Sequence, residues 1–295
     1  MGKYTINEFR QRYPNDDACL DKLFEIRFTN LVCPKCENCK PFVRVKGRRS
    51  YQCTVCCYQV YPTKDTVFEK TTTPLSSWFY IIYLQTVTRN GVSAKEIEQQ
   101  LSVCYKTALR MAHQIKKLMA DKDTTPLSGI CEVDEAFIGG HAKNKHKRIR
   151  AERKANKVLS PTEDKVGVIG FLSRGKGIKA QVIPANKHLK QLVRENVHPS
   201  ASIVTDSFSS YEGLEIEYFK HEIVNHVKDE FVRDGIWHTN SIEGFWSLLK
   251  RTISGTHIHV SPQHLQKYID EVAFRYRYRE QQEEMFEIAL LKIVA

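Results

Sequence analysis

The chain has 295 residues, with 45 Lys and Arg against 34 Asp and Glu, a net charge of +11 and a pI near 9.1. That length holds one large domain or two to three smaller ones. No apolar run approaches the roughly 18 residues a membrane helix needs, and MGKYTINEFRQRYP at the N-terminus has no apolar signal core, so no membrane partner and an intracellular location are expected, while the basic balance points to a polyanion such as nucleic acid.

Residues 1–30 carry helical patterns in INEFRQRYP and ACLDKLFEIRF. Cys33-x2-Cys36 follows, then sixteen residues, then Cys53-x2-Cys56. That spacing is the pattern of a four-thiolate Zn2+ site. The intervening PFVRVKGRRSYQC alternates apolar and basic residues about Gly47, as a hairpin does. A zinc ribbon over 31–62 is therefore expected, with Cys39 and Cys57 close enough to substitute in the ligand set. Cys19, Cys104 and Cys131 read as small buried residues, and nine cysteines in an intracellular chain argue against a disulfide framework.

Trp78, Ile81, Ile82 and Gln85 begin a helix that Gly91 breaks, and Ser93 with Glu96 forms a capping box for the next one. SAKEIEQQL, a tight turn and YKTALRMAHQI then give a helix-turn-helix layout, with 104–118 as the candidate reader of a major groove. DKDTTPLSG is a polar linker. Beyond it come strands: ICEVDEAFIGG ending at Asp134, VGVIGFL, GIKAQVIP after a turn at Gly175, ASIVTDSFSSY ending at Asp206, and EIVNH. HLKQLVRENV is an amphipathic helix between them. The basic run 141–157 reads as a solvated loop that can meet phosphates, and FRYRYRE as a similar patch or a helix end.

WHTNSIEGFWSLLKR, residues 237–251, sorts at helical spacing into two stripes. Ile242, Phe245, Trp246 and Leu249 form the apolar one; Asn240, Glu243, Ser247 and Lys250 form the polar one. Ligands of open α/β sheets gather at the carboxyl ends of strands. Asp134 and Asp206 there, with Glu243 from a nearby helix, can converge on one point. Three carboxylates together repel one another, and divalent Mg2+ removes that conflict. Two such ions can assist both oxygens of an in-line phosphoryl displacement. Glu132 shares the strand face of Asp134 and is the less favoured option of a spare ligand, and His238, His257 and His259 read as structural or DNA-contacting residues rather than metal ligands.

On VDEAFIGG, TDSFSSYEGL, HTNSIEGFWSLLKRTISGTHIHVSPQHLQKYIDEVAFRYR, the ribbon and TTTPLSSWF, the chain resembles a DDE-type insertion-sequence transposase. The branch it resembles is the ISXO-like one, with zinc ribbon and helix-turn-helix, related to the Merlin elements. The resemblance implies an RNase H-like α/β catalytic domain at 130–285. Ahead of it would stand N-terminal helices and a small zinc ribbon at 1–64, an all-α helix-turn-helix domain at 65–122 and a linker at 123–129, with a tail at 286–295 behind. It implies Asp134, Asp206 and Glu243 as the Mg2+ (or Mn2+) triad, with Asn240 as the alternative third ligand, and Lys250 gripping DNA beside the reacting phosphate. It further implies double-stranded DNA partners (element ends and target), a homo-oligomer in the synaptic complex, and location in the bacterial nucleoid or, for a eukaryotic element, the nucleus. A nuclease on the same fold that does not join strands, and a domesticated non-catalytic DNA-binding protein, are the competing readings.

Overall fold

The computed structural model describes residues 4–38, 40–140, 147–148, 151, 165–175, 177–184, 188–206, 211, 213–224 and 236–293. Cys39 and all but three residues of the basic run 141–157 lie outside the described residues. The chain forms two compact units, residues 1–119 with 280–295, and residues 120–279.

The first unit opens with α1 (Ile6–Arg12) and α2 (Asp16–Arg27), each capped by the residue before it, Thr5 and Asn15. The ribbon strands β1 (Phe42–Arg44), β2 (Tyr51–Cys53) and β3 (Gln59–Val60) form an antiparallel sheet. Gly47, at φ +73°, sits in the turn between the first two. α3 (Leu75–Val87) starts behind Pro74, which has no side-chain donor or acceptor to cap it. Asp16 supplies the cap instead, accepting the Leu75 and Ser76 N–H groups, both at 2.9 Å. Trp78, Ile81, Ile82 and Gln85 are all fully buried, as their spacing requires. Gln85 closes the Gly91 turn by bonding both the N–H and the carbonyl of Val92.

α4 (Ala94–Leu101) begins at Ser93, whose hydroxyl accepts the Glu96 N–H at 3.1 Å. It ends at Ser102 in the left-handed region, and α5 (Tyr105–Met119) follows after three residues. Cys104, expected inside, is exposed in that turn, whereas Cys19 and Cys131 are buried. The stretch expected as a tail is a helix as well. Its Phe286 is fully buried against Tyr4, Phe9, Tyr13, Phe79 and Tyr83, so the C-terminus completes the core of the first unit.

The second unit starts earlier than the expected boundary. Leu127, placed in the linker, is buried and bridges to Val197. The strands β4 (Ile130–Ile138), β5 (Val166–Ser173), β6 (Gly177–Val182), β7 (Ser202–Asp206) and β8 (Lys220–Val224) form one mixed sheet in the order β6-β5-β4-β7-β8. β4, β5 and β6 pair antiparallel; β7 runs parallel to both β4 and β8. Asp134 does not end its strand. β5 keeps pairing past it, out to Ile138 with Val166, so Asp134 lies mid-strand.

Alternation along β4 splits the core in two. Cys131 and Val133 face α6 (Leu189–Asn196) through Leu192 and Val193. Ala136 and Ile138 face α7 (Asn240–Thr252) and α8 (Leu265–Arg277). α7 begins at Asn240 rather than Trp237, and its expected stripes hold: Ile242, Phe245, Trp246 and Leu249 are buried while Asn240, Glu243, Ser247 and Lys250 are exposed. Burial of a side chain such as Phe245 or Leu249 contributes roughly 1.5–3 kcal/mol, which docks this helix on the sheet. The FRYRYRE stretch is a packed helix end: Arg275 pairs with buried Glu271 at 2.7 Å and Arg277 with Asp121 at 2.6 Å. The last helix, α9, spans Met285–Leu291. Among the described residues no helix is long and apolar enough to cross a membrane.

Candidate active site and zinc centre

Two turns of the ribbon are built alike. Glu37 N–H returns to the Cys33 carbonyl and Cys57 N–H to the Cys53 carbonyl, at 2.8 and 3.0 Å. Glu37 and Cys57 both take positive φ, 53° and 57°, just past their Cys-x2-Cys pairs. The four ligand atoms of Cys33, Cys36, Cys53 and Cys56 lie within 4.8 Å of one another. Their closest sulfur pairs, Cys33 with Cys56 and Cys36 with Cys53, stand 3.5 and 3.7 Å apart. A Zn–S tetrahedron of about 2.3 Å bonds has edges of about 3.8 Å, so the set fits Zn2+. Cys57 is not part of it. It occupies the left-handed position that ends the second turn and is exposed.

In the second unit the register of β4 with β7, Glu132 opposite Val204, sets Asp134 beside Asp206 two residues on. Glu243 comes from the first turn of α7, held by the Thr239 hydroxyl, which donates to its carboxylate at 3.0 Å. Asp134 lies within electrostatic reach of the other two acids. Burial pushes the Asp134 carboxyl up to about 6, and the charges of Asp206 and Glu243 add to the rise. Glu135 points to the other face of β4; burial pushes it up to about 7, with Asp134 and Asp206 again adding. Among the described residues only the cysteine set closes to within 4.8 Å, so the three acids stand further apart. A divalent oxygen-seeking cation such as Mg2+ suits this all-carboxylate donor set and would offset its charge.

Two contacts absent from the sequence reading fix α7 on β4. The Trp246 indole N–H donates to Asp134 Oδ2 at 2.9 Å. Its ring reaches there across Gly170, the β5 partner of Asp134, where an added Cβ would lie 2.8 Å from the indole. Two residues before Asp134, Glu132 is fully buried and accepts the Ser241 and Ile242 N–H groups of α7, both at 3.0 Å. Its other oxygen takes the Arg174 guanidinium at 2.8 Å. Arg174 also donates to the carbonyls of Ile236 and His238. Glu132 is therefore no spare metal ligand: both of its oxygens are engaged in seating the helix, and His238 belongs to the same structural network. Lys250 lies two turns beyond Glu243 and is exposed; Asn240, at the start of α7, is exposed as well.

These features define a class: a four-cysteine ribbon preceding a mixed α/β unit whose sheet and helix bring three carboxylates together. The chain belongs to the ISXO2-like transposase family of insertion sequences. Residues 126–277 match the ISXO2-like transposase domain, a DDE transposase domain, and residues 14–59 match the transposase zinc-ribbon domain. An uncharacterized protein in transposable element ISH50 of Halobacterium salinarum is 29% identical over 262 residues, which cover 84% of this chain and 86% of that protein. An uncharacterized transposase-like protein of Haemophilus influenzae is 30% identical over 88 residues, covering 30% of this chain and 69% of its own length. No solved structure matches the chain.

Proposed function

We propose that this chain is a DNA transposase that binds the terminal inverted repeats of its insertion sequence and carries out metal-dependent strand cleavage and strand transfer. The observation that carries this is the placement of Asp134 within electrostatic reach of both Asp206 and Glu243, brought from two adjacent strands and one helix. The mixed sheet bearing both aspartates supports an RNase H-like reading of the second unit. Mg2+ or Mn2+, when bound, would supply the positive charge that in-line phosphoryl displacement needs. Asp134 and Asp206 would hold it from the sheet and Glu243 from the helix. Trp246 donates to one oxygen of Asp134 and would leave the other for the metal. Lys250 grips the DNA backbone near the reacting phosphate. The 3′-hydroxyl freed by cleavage attacks the target phosphate and displaces the target strand's own 3′-oxygen, one phosphodiester replacing another, so no covalent protein–DNA bond is required.

The first unit supplies DNA recognition in this reading. Lys106, Arg110 and Lys117 are exposed at i, i+4 and i+11 along α5, a cationic stripe opposite the buried Ala108, Met111, Ala112 and Ile115. The zinc ribbon contacts the same ends. Two ends must be processed together, so a homodimer or larger assembly acts.

The test joins a pre-nicked element-end oligonucleotide to plasmid with Mg2+. Joined product from wild type, lost in Glu243→Gln and kept in Asn240→Ala, supports the reading and the third ligand. Loss only in Asn240→Ala moves that ligand one turn back. Cleavage without joining indicates a nuclease; binding with neither overturns the catalytic assignment.

A further inference from the structure

Beyond Lys250, α7 does not stop cleanly. It passes into a π-helical turn, Ile253–His257, and then reverses sharply at Ile258. Ile258 has φ 64° and ψ −53°, and the His259 N–H closes back on the His257 carbonyl at 2.6 Å. That is a γ-turn of positive φ, a rare and strained form. A β-branched residue there is a steric outlier, costly enough to persist only where its surroundings enforce it.

The surroundings do enforce it. The His257 side chain is 6% exposed, its ring meets Tyr268 edge-on at 4.7 Å, and Nε2 lies 4.0 Å from Glu271 of the buried Arg275 pair. Yet the tip itself is bare: Ile258 is 83% exposed. The segment around it excludes negative charge. No Asp or Glu occurs between Glu243 and Asp270, a stretch holding Lys250, Arg251, His257, His259, His264 and Lys267. Lys250, Arg251 and His259 are exposed.

A rigid aliphatic tip on a segment with no acid of its own and with Lys250 and Arg251 exposed nearby in the chain suits insertion into duplex DNA, where apolar side chains enter between base steps and unstack them. We propose that Ile258 is such a wedge, pressing between base pairs of the DNA held at the acid site. The proposal rests on the transposase reading and goes beyond it. α7 and its π-turn form one continuous helical rod, and Ile258 lies fifteen residues after Glu243. At about 1.5 Å per residue the tip stands roughly 20 Å along the rod, about six base-pair steps of 3.4 Å. Unstacking is expected at about that distance from the reacting phosphate.

The experiment places 2-aminopurine at successive positions of the element-end duplex and, separately, of the target duplex, and adds the full-length protein. A fluorescence rise at one step supports the wedge, and the duplex that gives it identifies which DNA is opened. Ile258→Gly removes the tip while relieving the turn, because glycine accepts positive φ. It should keep or raise Tm, lose the fluorescence rise, and bind paired duplex about tenfold more weakly. A mismatch at the opened step should restore its binding, since unstacking is then already accomplished. Ile258→Leu should unstack as wild type does. No rise at any position, a rise undiminished in Ile258→Gly, or binding that a mismatch fails to restore overturns the proposal. So does an Ile258→Gly change confined to oligomeric state. Wild-type joining of pre-nicked ends is scored in parallel, so failure of the wedge is separable from failure of the transposase reading.

Discussion

Removing the Glu132 carboxylate should lower both the stability of the second unit and the rate of strand joining, whereas an equally destabilising change elsewhere in the unit should lower stability alone. In Glu132→Ala the Ser241 and Ile242 N–H groups and the Arg174 guanidinium lose a fully buried acceptor. Breaking a buried charged pair costs about 3–5 kcal/mol. Arg174 retains the Ile236 and His238 carbonyls, so the low end, about 3 kcal/mol, is expected. For a unit of this size about 1 kcal/mol moves Tm by 2–4 °C, giving a fall of roughly 6–12 °C. The lost bonds set the position of the first turn of α7, which carries both Asn240 and Glu243. A misplacement of about 1 Å can cost on the order of 100-fold in rate. The assay is strand joining with pre-nicked ends at 20 °C or so, below the transition of the variant, beside DNA affinity. Leu192→Ala is the control: it empties a fully buried site on the opposite face of the sheet at about 2–5 kcal/mol. It should lower Tm comparably and leave joining unchanged. If Glu132→Ala loses Tm but joins at the wild-type rate, Glu132 does not position the third ligand.

Trp246→Phe keeps an aromatic ring over Gly170 but loses the donor to Asp134; a rise in the Mg2+ concentration needed for half-maximal joining, with about tenfold slower turnover at low Mg2+, is the expected outcome of a metal titration. Asp134 and Glu135 are raised to about 6 and about 7 by burial. Folded protein thus holds protons that the unfolded chain releases near pH 4. That stabilisation is full below about pH 4 and is lost as pH rises through 6 to 7. In zinc-loaded, Mg2+-free protein, Tm should fall between pH 5 and 8, and added Mg2+ should restore more at pH 8 than at pH 5; a flat profile would contradict the burial argument. Cys53→Ser should abolish Zn2+ retention and unfold the ribbon, whose longest strands have three residues, whereas Cys57→Ser should retain the metal, as read by a colorimetric zinc assay.

The ribbon was legible because its grammar is local: Cys-x2-Cys makes a turn, and four sulfurs make a site. What spacing could not decide was the neighbour. Cys57 stands outside the cluster, in the left-handed position just past the second Cys-x2-Cys pair. The helix of the third acid was legible for a similar reason, since its two stripes lie within fifteen residues and periodicity separates them. Asp134 was placed at a strand end because VDEAFIGG looks like a strand meeting glycines. The strand runs on because β5, which pairs with it from the far side of the basic run, supplies partners as far as Ile138. A register set by a partner about thirty residues away leaves no mark on the segment itself.

Glu132 shows the same limit at a single residue. Alternation puts it on the face of Asp134, and composition alone makes a second carboxylate beside a metal site look like another ligand. Its partners decide otherwise: Arg174, and two backbone N–H groups about 110 residues away, which carry no side-chain identity to read. The consequence reaches the chemistry. One face of β4 presents Glu132 and Asp134 in succession, the first gripping the start of α7 and the second gripping Trp246 further along it. Glu243 projects from between those grips. The strand that supplies one acid thereby fixes the helix that supplies another, so the spacing of Asp134 and Glu243 depends on β4 and α7, while Asp206 is set by the register of β7 on β4, and substitutions away from these three elements should alter stability before they alter the geometry of the acids.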